Sequence, residues 1–71
     1  MGPECKIGFA DLFRLAHGRD WTVDEQQEFA ALDQLQTNAW VRAMAAEAGG
    51  IVTEDRVGTD GVTYTAFWQQ V

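Results

Sequence analysis

The sequence predicts one α+β domain in which two or three helices precede a C-terminal β-hairpin. Three observations carry that expectation. Apolar residues recur at three- and four-residue intervals over 7–17, and the stretch 23–48 contains neither Gly nor Pro. Two segments rich in β-branched and aromatic residues then flank Gly58-Thr59-Asp60-Gly61.

The first helix is expected over 7–17, where Phe9, Leu12, Phe13 and Ala16 mark one face. Gly18 stands where a helix ends in the left-handed conformation, and Arg14 and His17 complement the negative end of the dipole. Thr22-Val23-Asp24-Glu25 fits a capping box, in which hydroxyl and carboxylate each satisfy an orphan backbone N–H. Ala, Leu, Gln, Glu and Met dominate from there to Gly49-Gly50, so 23–48 reads as helical. Unbroken, it would run about 39 Å at 1.5 Å per residue, long for so small a domain. A break is expected at 36–38, where Thr37 or Asn38 could cap a new helix and the apolar phase shifts from Phe29/Leu32/Leu35 to Trp40/Val41/Met44.

The hairpin is expected over 51–68, closed by a two-residue turn at Asp60-Gly61 or a four-residue loop from Gly58 to Gly61. Both registers put Ile51, Thr53, Asp55, Val57, Val62, Tyr64, Ala66 and Trp68 on one face. Val52, Glu54, Arg56, Thr63, Thr65 and Phe67 fall on the other. No repeat, low-complexity tract or linker interrupts the chain, so 1–71 reads as a single domain.

With 71 residues there is room for one small core, and a hydrophobic content of 46% is too high for a disordered chain. No apolar run approaches the ~18 residues of a membrane span, and no basic-then-apolar leader opens the sequence. Lys6 and Pro3 also depart from the myristoylation pattern after Gly2. One cysteine, Cys5, and one histidine, His17, exclude an intrachain disulfide and any Cys/His metal cluster, and a reduced, cytoplasmic setting is expected. Five basic residues against eleven acidic give a net charge of −6, which repels phosphate backbones and favours basic protein surfaces.

Catalysis has little to draw on: the chain has no serine, and Cys5 and His17 could meet only if the N-terminal segment folded back along the first helix. Asp20, Asp24, Glu25 and Glu28, and Glu54 beside Asp55, read as dipole-complementing and solubilising groups rather than as acid/base pairs. Neither glycine pair resembles a phosphate cradle, since no helix or P-loop lysine follows. No enzyme activity, cofactor or metal is expected.

The order of helices then hairpin, from Phe9 to Trp68, resembles a winged helix-turn-helix. That resemblance implies a recognition helix at 38–48 exposing Asn38, Arg42 and Glu47, with Arg56 as the wing's cation. One arginine per element is too few to neutralise several phosphates. A protein-binding version of the topology is therefore preferred. A winged-helix DNA-binding regulator and a DNA mimic stand as alternatives.

The partner surface is expected around Val52 and Phe67, cross-strand neighbours in the four-residue-loop register, ringed by Glu54, Arg56 and Gln69. Trp68, Trp40 and Arg42 complete the candidate set. The partner is a larger protein with a basic or amphipathic surface, or a second copy of the chain, with no membrane involved. The functional expectation is thus a small acidic protein-binding regulator or inhibitor, of a size and charge common among bacteriophage and mobile-element products.

Overall fold

A computed structural model describes residues 4–70, with Glu4 and Cys5 described by their backbone alone. The elements are β1 (Glu4–Cys5), α1 (Phe9–His17), α2 (Val23–Ala30), α3 (Gln34–Ala48), β2 (Ile51–Val57) and β3 (Thr63–Gln70). Three helices thus precede an antiparallel hairpin, an α+β arrangement. The sheet runs β1-β3-β2, because β1 pairs antiparallel with the end of β3, Glu4 opposite Gln70 and Cys5 opposite Gln69. A two-residue strand is too short to leave a period in the sequence, and it was not expected.

The helix ends follow from local chemistry. Gly18 closes α1 at φ 71° and donates its N–H to Arg14 O at 2.7 Å. At α2 the expected box forms: Glu25 N–H donates to Thr22 Oγ1 at 3.2 Å and Thr22 N–H to Glu25 Oε1 at 3.0 Å. The long helical stretch is broken, but at 31–33 rather than 36–38. Asp33 caps α3: its Oδ1 accepts from Gln36 N–H at 2.7 Å, and Gln36 Oε1 accepts from Asp33 N–H at 3.0 Å. This box leaves Thr37 and Asn38 inside the first turns of α3, so neither begins a helix. Gly49 and Gly50, at φ 71° and 73°, end it.

The hairpin register differs by one residue from both expected registers. Val57 pairs with Thr63, Thr53 with Phe67 and Val52 with Trp68. The cause is a three-residue loop, Thr59-Asp60-Gly61: Gly58 N–H donates to Val62 O, Gly61 N–H turns back to Gly58 O at 3.0 Å, and Gly61 takes φ 79°. Asp60 Oδ1 also accepts from Val62 N–H at 3.0 Å. A one-residue slip exchanges the faces of β3 relative to β2. Thr65 and Phe67 therefore join Thr53 and Asp55 towards the helices. Tyr64, Ala66 and Trp68 join Val52, Glu54 and Arg56 on the far side.

One layer of helices on one sheet gives Cα extents of 35 × 30 × 16 Å. So thin a slab buries few apolar side chains: Leu12 and Phe13 of α1, and Val41 and Ala45 of α3. Around them runs an aromatic seam. Phe67 meets Phe9 at 5.2 Å between centroids, Phe9 meets Phe29 at 4.8 Å, and Phe29 meets Trp40 at 4.6 Å. Trp40 then meets Trp21 at 6.3 Å, and Trp21 meets Phe13 at 5.9 Å. α2 has no buried residue, and Phe29 is its contribution to this seam.

Asn38 joins α3 to the hairpin. It is buried, not exposed as a recognition-helix residue would be, and its Nδ2 donates to Thr63 O at 2.9 Å. Its Oδ1 accepts from Thr65 N–H at 2.9 Å and from Gln34 Nε2 at 2.8 Å. The amide occupies the edge of β3 that β1 leaves open, and no buried side-chain polar atom among the described residues lacks a partner.

Candidate binding surfaces

Of the seven residues singled out in the sequence, the fold gathers four. Val52, Glu54, Arg56 and Trp68 lie on the sheet face turned away from the helices, with Val52 directly opposite Trp68. Arg56 stacks on the Trp68 indole at 5.4 Å and holds Glu54 through Nη2–Oε2 at 3.0 Å. Cation–π contact within about 6 Å is favourable. Val52, Ala66 and Trp68 are half-buried, while Tyr64 is exposed.

The other three lie elsewhere. Phe67 faces Phe9 in the interior seam, so the expected Val52/Phe67 patch does not form; Val52/Trp68 takes its place. Trp40 is a member of the same seam. Arg42 leans from α3 across to Asp55 at 3.6 Å and Thr65 Oγ1 at 3.3 Å, at the exposed rim of the helix–sheet junction. The Cys5 side chain lies outside the described residues, and with it any pairing to His17.

Beside the outer face, a groove of about 350 Å³ runs between Lys6–Phe9 and β3, with Tyr64, Ala66 and Trp68 along it. A second cleft, of about 280 Å³, opens between the three helices at the other end of the aromatic seam, with Trp21, Phe29 and Trp40 among its walls and Glu25 and Glu28 beside them. Neither the β1 edge nor the helical cleft was legible in the sequence. Each depends on contacts between segments far apart in the chain.

The arginines are dispersed, and each is paired with a carboxylate. Arg14 holds Asp20 at 2.6 Å and lies 4.0 Å from Asp11; Arg19 holds Glu25 at 2.7 Å. With Arg42 on Asp55 and Arg56 on Glu54, all four arginines face carboxylates. The Arg19 fork and the Thr22 backbone N–H together draw the Glu25 carboxyl from 4.5 down to about 2. Among the described residues no group of three His, Cys, Asp or Glu could hold a metal ion, and no helix is long and apolar enough to cross a membrane.

Comparison with family models, curated proteins and solved structures gave no match to this chain.

Proposed function

We propose that this chain is a small acidic protein-binding regulator or inhibitor whose outer sheet face docks on a basic or amphipathic surface of a larger protein. The observation that carries this reading is the Val52–Trp68 pair on a face turned away from all three helices, with Arg56 already stacked on the indole. A half-buried aromatic anchor beside an arginine, rimmed by polar side chains, is the composition of a binding hot spot. A standard interface takes about 800 Å² per partner. Against a total accessible surface of 4885 Å², that is roughly one-sixth of the molecule.

Charge supports a polypeptide rather than a nucleic acid as the partner. Each arginine is engaged by a carboxylate, and releasing one for a phosphate would leave that carboxylate facing the same polyanion. Contact through the face is also favoured over strand addition at β2, since Glu54-Asp55-Arg56 places charges along that edge.

Affinity capture with the wild-type chain beside Trp68→Ala tests the reading. A stoichiometric protein partner retained by the wild type and lost by the variant is the expected result. Unchanged capture by Trp68→Ala, or a mobility shift of duplex DNA at low salt, would overturn it. Sedimentation of the free protein distinguishes a second copy from a foreign partner.

A further inference from the structure

We infer that the cleft between the three helices is a receptor for an arginine side chain of a partner polypeptide, with Glu28 as its anionic end. The argument starts from an arginine of this chain. Arg19 lies over the Phe13 ring at 5.1 Å and forks onto Glu25, Nη1 to Oε1 at 2.7 Å and Nη2 to Oε2 at 2.9 Å. A planar guanidinium suits that pairing of aromatic face and bidentate carboxylate better than an ammonium does.

The same two ingredients recur one helical turn further on. Glu28 follows Glu25 by three residues on α2, so the two carboxylates are neighbours on one face. Both border the cleft, together with the aromatic walls Trp21, Phe29 and Trp40. Those rings are half-buried and mutually tilted, with centroids 4.6 to 6.3 Å apart, so the cleft sets aromatic faces beside two carboxylates, with His17 of α1 also in its wall. The difference is the cation. Glu25 has Arg19, whereas among the described residues Glu28 forms no ion pair.

A volume of about 280 Å³ admits a side chain and excludes a helix or a strand. The net charge of −6 favours the approach of a basic segment. An aliphatic stem would lie against Leu32 and Met44, which also line the cleft, while the guanidinium meets Glu28 and the rings.

This site rests on the protein-binding reading only in assigning the guanidinium to a polypeptide, and a small probe separates the two. Acetyl-arginine methylamide is titrated into isotope-labelled full-length protein while the Trp21 and Trp40 indole N–H signals are followed. Acetyl-lysine methylamide forms a parallel arm, and Glu28→Gln and Glu47→Gln are the variants. Glu47 is an exposed carboxylate of α3 that does not line the cleft, so its variant removes the same charge from the molecule without touching the site.

The expected result is a saturable shift at both indoles, stronger for arginine than for lysine. Glu28→Gln should weaken it by roughly threefold or more, in the range of one partly exposed ion pair, and Glu47→Gln should leave it unchanged. Shifts that do not saturate, that spare the two indoles, that favour lysine, or that weaken equally in both variants overturn the assignment. Failure of the probe leaves the outer-face contact standing, and failure of the Trp68→Ala capture test leaves the cleft standing.

Discussion

Asn38→Ala is the single substitution expected to separate the hairpin from the helices. It deletes three hydrogen bonds, two of them to the β3 backbone across 25 and 27 residues of sequence. Each bond is worth about 1 kcal/mol net, and an unsatisfied buried Thr65 N–H adds a desolvation cost of about 1–3 kcal/mol. The sum, about 4–6 kcal/mol, matches or exceeds the ~3–5 kcal/mol that a core of this size supplies. Urea unfolding followed by tryptophan fluorescence and far-ultraviolet circular dichroism measures it, and a melting point lowered by about 4–8 °C per kcal/mol is the thermal counterpart. Asn38→Asp sharpens the test, because the introduced carboxylate can accept from Thr65 N–H but faces Thr63 O without a proton to donate. Its deficit relative to wild type should therefore narrow as the pH falls towards the ordinary Asp range of about 4, where the protonated acid donates again. A loss below about 0.5 kcal/mol for Asn38→Ala, typical of surface changes, would refute the role assigned to this amide.

Three further outcomes follow from the same contacts. The Glu25 carboxyl is held at about 2 in the folded chain against 4.5, so its contribution to stability is present above pH 4.5 and is lost as the pH falls towards 2; an Arg19→Ala variant should show a shallower acid transition by circular dichroism. Gly61→Ala places a side chain at φ 79° in the hairpin loop and should cost about 1–2 kcal/mol in urea unfolding. Amide hydrogen exchange should be faster in α2 than in α1 or α3, since α2 buries no residue; equal protection in all three would contradict the packing described.

The elements that sequence reasoning recovered are those fixed by neighbours in the chain. The Thr22–Glu25 box, the Gly18 terminus and the β-branched strands need only local chemistry, and all are present. The helix break was misplaced because Asp33-x-x-Gln36 caps as Thr22-x-x-Glu25 does, yet sits inside a run of good helix formers without Gly or Pro. The register was missed by one residue because Gly58-Thr59-Asp60-Gly61 is compatible with loops of two, three or four residues. Only the αL Gly61 following a turn from Gly58 selects three. That one residue decided the candidate site: it moved Phe67 inward, brought Trp68 opposite Val52, and left four of the seven expected residues together. Nothing in the sequence marked Asn38 as buried, since a polar residue on an otherwise amphipathic helix reads as a cap or as exposed until its partners are placed.

The slab geometry links stability to recognition. A slab that buries four apolar side chains among the described residues leaves its large rings partly outside, and Phe9, Trp21, Phe29 and Trp40 stack against one another in a seam that reaches solvent at both ends. At one end Phe9 and Phe67 border the groove beside the outer sheet face; at the other, Phe13, Trp21 and Trp40 wall the helical cleft. α2 lies over the middle of the seam, joined to it by Phe29 and tied back to the α1–α2 connection by Arg19 on Glu25. A partner filling the cleft therefore contacts the element that the protein itself holds least firmly. Any ligand selective for the folded state stabilises it by mass action, and here that stabilisation would be concentrated in α2. The same shortage of interior would let a bound polypeptide surface act as a substitute for core.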